Sequence, residues 1–276
     1  MINLGRINKL KINRFVEFGA YLDAGNDVEI LLPQKYITED MEKDSEVEVF
    51  VYNDSEDRLV AVTEMPKAMV GDFALLRVAQ VNPTGAFMDW GLPKEILVPF
   101  REQKVRMQPG RWYIVYIYVD DNSQRIVASA KLDKFLDNTI PEYKPNDTVD
   151  VLITRRTELG YKVIINHLHW GMIYHNQIFQ EINIGEHHTA HVKGIRRDGK
   201  IDLVLGDHTK NRAMNIGEKI VEFLQINNGS MTINDKTDPE IIRRTFSCSK
   251  KDFKKAVGML LKKKEISIHE EKIILN

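Results

Sequence analysis

With 276 residues, 39 Lys and Arg against 40 Asp and Glu, and a formal net charge of −1, the chain has the composition of a soluble globular protein. That excludes collagen-like and disordered classes, and no stretch approaches the roughly 20 apolar residues of a membrane span. The N-terminus lacks the basic, apolar and small-residue pattern of a signal peptide, and Cys248 alone cannot form an intrachain disulfide, so a reducing cytoplasm is the expected setting.

Residues 1–65 read as five short strands. Gly5 to Lys11 begins a strand, Phe15 to Leu22 continues it, and Val28 to Leu32 is a short run closed by Pro33. Val47 to Tyr52 alternates at period two, and Arg58 to Val62 returns after the Asn53–Asp57 turn. Five strands in so short a segment suit a small closed barrel of the OB type. Phe18 and Tyr21 could stack on bases, but this segment carries 7 Lys and Arg against 14 Asp and Glu, and phosphate avoids a negative surface. The two aromatics are therefore expected in the core or in a protein contact.

Residues 66–137 repeat the pattern. Its strands are Asp72–Val81, Gly85–Trp90, Ile96–Val98 closed by Pro99, Trp112–Val119 and Arg125–Ala130. The phrase Gly85-Ala86-Phe87 answers to Gly19-Ala20-Tyr21, 66 residues earlier, and to Gly160-Tyr161-Lys162, 75 residues later. The same two offsets relate Gly5, Gly71 and Asn146, and also Pro33, Pro99 and Tyr174. Several landmarks in one register define tandem modules. The candidate contacts of this copy are Phe87 as a stacking ring and Arg77, Lys94, Arg101 and Arg125 as cations.

Residues 138–210 form the third copy, with strands Asp147–Thr154, Tyr161–Asn166, Gly171–Tyr174, His188–Ile195 and Lys200–Leu205. Arg155, Arg156, Lys162, Arg196, Arg197 and Lys200 are candidate phosphate contacts, and Tyr174 is a further candidate nucleic-acid contact. Seven histidines fall here, His167, His169, His175, His187, His188, His191 and His208. No cysteine or placed carboxylate completes a tetrahedral set around them, so surface histidines are expected rather than a metal centre, and no cofactor is expected.

In residues 211–276 the period changes from two to 3.6. Ala213, Ile216, Ile220, Val221 and Leu224 mark an amphipathic helix ended at Asn227-Asn228-Gly229. Thr237-Asp238-Pro239-Glu240 starts a second helix, and Ser249, with Asp252 three residues on, caps a third whose buried stripe is Phe253, Ala256, Val257, Leu260 and Leu261. Two short strands then flank His269-Glu270-Glu271, which is the winged helix-turn-helix order. Lys250, Lys251, Lys254 and Lys255 lie off the apolar stripe, on the helix that commonly meets nucleic acid in such domains. That face lacks Arg, Asn and Gln, so phosphate attraction is better supported than base readout.

The fold class expected from these elements is mainly β, three tandem five-stranded OB-type barrels followed by an α+β winged helix. Gly71-Asp72, Gly85-Ala86-Phe87, Ile96-Leu97-Val98-Pro99 and Arg125-Ile126-Val127-Ala128-Ser129 resemble the S-one repeat, the RNA-binding module of the largest ribosomal small-subunit protein. Three such repeats with a basic C-terminal domain resemble the conserved virulence factor B (CvfB, YitL) family across the whole chain. The resemblance implies a bacterial RNA-binding protein without catalytic residues. It places the repeat's aromatic pair at Phe18 and Tyr21, at Thr84 and Phe87, and at Leu159 and Lys162, and its histidine at Pro33, Pro99 and Tyr174. No copy retains the full set, which implies weak modules acting in tandem. The function expected is RNA binding linked to post-transcriptional or translational regulation, with RNA as partner and DNA or ribosome-associated proteins as further candidates. A winged-helix DNA regulator and a protein–protein scaffold are the alternatives. The sequence contains no glycine-rich phosphate loop and no nucleophilic triad arrangement, and it leaves the oligomeric state open.

Overall fold

The computed structural model describes residues 2–178, 181–205, 211–269 and 272–276, and for 211–215 the backbone only. His208, Glu270, Glu271 and the side chain of Ala213 therefore lie outside the described residues. The chain divides into two compact units, Met1–Asn138 and Thr139–Asn276.

The first unit holds two barrels. Strands β1 (Ile7–Val16), β2 (Gly19–Asp23), β3 (Glu29–Pro33), β4 (Glu46–Asn53) and β5 (Leu59–Val62) close in the order β1-β2-β3-β5-β4. Strands β6 (Phe73–Asn82), β7 (Gly85–Asp89), β8 (Ile96–Pro99), β9 (Trp112–Val119) and β10 (Ile126–Ser129) close with the same connectivity. The second unit begins with a third such barrel, of β11 (Thr148–Arg156), β12 (Gly160–Ile165), β13 (His169–Tyr174), β14 (His187–Ile195) and β15 (Ile201–Leu205). One difference from the sequence reading is that β1 runs unbroken to Val16, because its pairing to β2 continues through a bulge.

The recurring residues have specific mechanical duties. Gly5, Gly71 and Asn146 all take positive φ, of 73°, 91° and 74°. Each donates its N–H across the barrel, to the carbonyls of Val51, Ile117 and Val192 at 2.8, 2.7 and 2.7 Å. Asn is among the few residues that tolerate this backbone, which explains the worn third copy. The phrase glycines stand opposite the residues that close the third strand, Gly19 with Pro33, Gly85 with Pro99 and Gly160 with Tyr174. A bulge falls six residues before each glycine, at Asn13, Ala79 and Thr154, where the first strand coils to close the barrel.

The first two barrels share one continuous apolar core. Trp90, buried at the end of β7, meets Phe50 edge-on at 5.7 Å and Tyr52 at 6.3 Å, both from β4. The third barrel has its own core around Val151, Ile153, Val163, Ile173 and Leu203.

The winged helix comprises α1 (Asn211–Ile226), β16 (Ser230–Met231), α2 (Pro239–Phe246), α3 (Lys250–Lys262), β17 (Ile266–His269) and β18 (Lys272–Leu275). Its sheet runs β16-β18-β17. Gly229, at φ 79°, donates to the Leu224 carbonyl at 2.7 Å and ends α1. Asp238 accepts from the Glu240 N–H at 2.7 Å, and Ser249 accepts from the Asp252 N–H at 3.1 Å, so both predicted caps form. Ile220, Leu224, Ile242, Phe246, Phe253, Ala256 and Leu260 make the core. Within this unit the Arg243 guanidinium donates to the Ile178 carbonyl at 3.3 Å, which ties α2 to the third barrel. No helix among the described residues is long and apolar enough to cross a membrane.

Gly258 sits inside α3 on its exposed face, with nothing within 4 Å of a Cβ placed there. Helix glycines cost about 1 kcal/mol relative to alanine. Gly258→Ala is therefore expected to raise stability by about that amount, read as a higher urea midpoint with unchanged slope.

Candidate nucleic-acid interface

Because the three barrels share one register, the same three positions meet on the outer face of each. In the β1–β2 pair and its counterparts, Arg14 stands opposite Tyr21, Gln80 opposite Phe87, and Arg155 opposite Lys162. Ten residues after each phrase glycine comes the third member, Glu29, Glu95 or Trp170.

In the first barrel this row is neutralised. Arg14 lies 4.2 Å from the Tyr21 ring centroid and donates to Glu29 at 2.7 Å, which draws the Glu29 carboxyl below its ordinary range. Tyr21 meets Phe18 edge-on at 6.2 Å, and Phe18 is 57% exposed. Of the two expectations for this pair, core or protein contact, the core one is corrected: Phe18 is exposed because it falls in the β1–β2 turn rather than within a strand, and Tyr21 is half-buried on the outer face.

In the second barrel Gln80 donates to Glu95 at 2.8 Å, and Phe87 is half-buried beside the first barrel. Lys94 donates to the Asp54 carbonyl at 2.5 Å and lies 3.8 Å from Asp57, and Arg125 donates to the same Asp57 carboxylate. Both cations therefore serve the junction between barrels. Burial lowers the Lys94 pKa, against the pull of Asp57. Arg101 pairs with Asp120 at 3.0 Å, and Arg77 donates to the Gly110 carbonyl at 3.3 Å.

The third barrel differs in charge. Where the other copies place a glutamate, it places Trp170, and the Lys162 Nζ sits 3.5 Å from that ring centroid. Arg155 and Arg156 are exposed, and among the described residues neither has an ion-pair partner. The same holds for Arg197. Arg196 donates to Asp202 at 3.0 Å and to the Tyr174 hydroxyl, so these three residues form one cluster, and Lys200 pairs with Asp198 at 2.8 Å. On α3, Lys251 and Lys255 are exposed without an ion-pair partner among the described residues. Lys254 reaches Asp235 at 3.3 Å, and Lys250 donates to the Thr237 carbonyl at 2.9 Å.

The histidines of this barrel are engaged separately. His169 is buried with its ring between the Tyr143 hydroxyl at 3.0 Å and the Thr139 carbonyl at 2.9 Å, fixing the incoming connection. His187 pairs with Asp150 at 2.9 Å and His188 with Glu186 at 3.0 Å. No group of three or more ligating side chains gathers to hold a metal among the described residues. Hydrogen bonds from the Asn183 side chain and backbone, with His188 beside them, pull the Glu186 carboxyl down to about 2. A carboxyl lowered on folding stabilises above its unfolded value, and that contribution fades as pH falls toward the folded one. Glu186→Gln is expected to flatten acid unfolding between about pH 4.5 and 2, followed by circular dichroism.

Trp170 and Arg14 are the members of these rows that sequence reasoning missed. The signal was available, since Trp170 stands in register with Glu29 and Glu95, ten residues beyond its glycine.

Comparison with known proteins places this architecture. Residues 4–64 match the S1 domain model and residues 218–275 the CvfB-like winged helix domain model. The YitL protein of Bacillus subtilis is 30% identical over 261 residues, covering 92% of this chain and 87% of that protein. Conserved virulence factor B of Staphylococcus epidermidis is 25% identical over 263 residues, covering 92% and 88%. A solved multidomain protein with nucleic acid binding domains from Streptococcus pneumoniae is 25% identical, with a TM-score of 0.43 and coverage of 99% and 98%.

Proposed function

Since this chain belongs to the conserved virulence factor B family, we propose that it is a non-enzymatic protein that binds RNA through its second compact unit. One observation carries the reading: Arg155 and Lys162 stand opposite each other across β11 and β12, and Trp170 takes the place at which the other two copies have a glutamate. Like charges directly opposite in antiparallel strands repel. An anion drawn to the pair relieves that repulsion, and a phosphate backbone supplies such anions in series. In the equivalent row of the first barrel Glu29 has already taken this role.

Arg155, Arg156, Arg197 and the α3 lysines Lys251 and Lys255 are exposed cations with no ion-pair partner among the described residues. Lys162, Arg196, Lys200, Lys250 and Lys254 can exchange their present partners for phosphate. Trp170 adds a stacking ring, and Tyr174 stands at the position of the repeat's histidine. Base stacking favours a single strand over a duplex, whose bases are already stacked. Arg77, Phe87, Lys94, Arg101 and Arg125 belong to the other unit and contribute less charge, because most of these cations are already held by carboxylates or carbonyls. The biological setting proposed is post-transcriptional or translation-linked control in the cytoplasm.

The test is anisotropy of labelled single-stranded RNA, single-stranded DNA and duplex DNA with the full chain over a salt series. RNA should bind most tightly, with a negative salt slope. Preference for duplex DNA would make the protein a winged-helix regulator instead, and no binding at low salt would sink the nucleic-acid reading.

A further inference from the structure

An open groove of about 360 Å³ lies between α1 and α3 of the winged helix. Val221 of α1 and Met259 and Leu260 of α3 give it an apolar floor. Gly217 keeps it open: a Cβ there would meet the Met259 Cε at 3.4 Å and the Leu260 Cδ2 at 3.5 Å, so a longer side chain would take up its space.

The charge around this floor is mostly of one sign. Glu218, Glu222 and Glu265 line the groove against one cation, Lys263, which Glu265 already pairs at 3.5 Å. Glu218 and Glu222 are exposed and have no ion-pair partner among the described residues. They stand one helical turn apart on α1, a spacing at which like charges destabilise a helix. The exposed lysines of α3, Lys251 and Lys255, do not line the groove. It is therefore a second surface of the domain, opposite in sign to the one proposed for RNA.

Size and spacing narrow what fits. The volume lies at the low end of the roughly 300–1,000 Å³ of small-molecule sites. Two carboxylates repeated at the helix pitch, however, call for cations repeated at that spacing, as on a helix with Lys or Arg four residues apart. Exposed ion pairs contribute little by themselves. Affinity must come from apolar side chains laid on Val221, Met259 and Leu260, with the charges selecting the partner. We propose that this groove docks a basic amphipathic helix of a partner protein, its apolar stripe on the floor and its cations on Glu218 and Glu222. Nothing in this docking depends on RNA binding.

The test labels the methionine methyl groups of the full chain and follows Met259, assigned through Met259→Leu, by nuclear magnetic resonance. The probe is a synthetic amphipathic helix of about 16 residues, leucine on one face and lysine on the other. A signal from the groove itself is needed because residues 1–65 are acidic too. A saturable shift of Met259 is expected. Glu218→Lys with Glu222→Lys, both at exposed positions, should weaken that binding at least tenfold while the fold is kept. A Met259 signal that stays fixed, or an unchanged affinity in the double variant, overturns the proposal. So does an equal response to a scrambled peptide of the same composition, which has the charge without the stripe. A Met259 signal that moves with protein concentration alone would assign the groove to a second copy of the chain, and one that moves with single-stranded RNA in place of the peptide would assign it to nucleic acid; either overturns the proposal.

Discussion

Gly160→Ala is expected to destabilise the third barrel by about 3 kcal/mol or more, and Gly85→Ala the second barrel comparably. A Cβ at Gly160 would stand 2.0 Å from the Ile173 carbonyl oxygen and 2.7 Å from the Tyr174 Cα. At Gly85 it would stand 2.4 Å from the Val98 carbonyl oxygen. These obstacles are backbone atoms inside a hydrogen-bonded barrel, so no side-chain rotation relieves the clash, and the strand pair must separate. The two variants should also differ in reach. The first two barrels share a core, so Gly85→Ala should lower the stability of that whole unit. Gly160→Ala should be felt in the second unit, whose barrel has its own core. Gly258→Ala is the internal control: the same chemical change, in open space, with the opposite sign. Urea unfolding followed at two probes, one tryptophan in each unit, separates the cases, and a Gly160→Ala protein as stable as the parent would show that the strand pair yields freely.

That contrast explains why architecture was legible in the sequence. A backbone approach as close as the one at Gly160 admits no other residue, so the glycines hold their places and their spacing can be counted. The positive φ at Gly5, Gly71 and Asn146 constrains composition in the same way. Helix caps were legible for a related reason, because Asp238 and Ser249 satisfy N–H groups that have no other partner within their helices. The two-residue strand β16 was not foreseen, since its pairing with β18 is made by distant residues and leaves no local pattern.

The candidate interface was less legible because charge on a strand says nothing of its partner. Lys94 and Arg125 look like phosphate ligands in the sequence, and Asp57, 37 and 68 residues away, holds both. Arg14 occupies the same register position as Arg155 and differs from it in facing Tyr21 rather than Lys162 and in having Glu29 nearby. The sequence points Phe18 to the core or to a protein contact because aromatics in strands are usually buried, and the core half of that fails because Phe18 lies just outside the strand, in the turn. In each case the deciding fact is a neighbour brought in by the barrel closing.

The pair Arg14 and Arg155 therefore offers the most direct measurement on the proposed interface. The double variant Arg155→Glu, Arg156→Glu is expected to lower affinity for single-stranded RNA on the order of a hundredfold at low salt, as two charge-assisted contacts are lost. The slope of log affinity against log salt should shrink by about 1.4, at about 0.7 per phosphate on a single strand. Arg14→Glu makes the Arg155 substitution, half the charge change of the double variant, at the equivalent position of the first barrel. There Glu29 already occupies the guanidinium, so RNA affinity should change little, although the Glu29 pairing is lost. Both arginines of the double variant are exposed and without ion-pair partners among the described residues, so the thermal midpoint should stay near the parent's. Equal losses at Arg14 and at Arg155 with Arg156 would mean that the strand reads net charge alone. No loss at Arg155 and Arg156, with α3 lysine variants weakened, would move the footprint from the barrel to the winged helix. A large loss confined to the third barrel is what the proposal requires, because there two cations stand opposite each other, Arg155 and Lys162, and Trp170 takes the place at which the other copies have a glutamate.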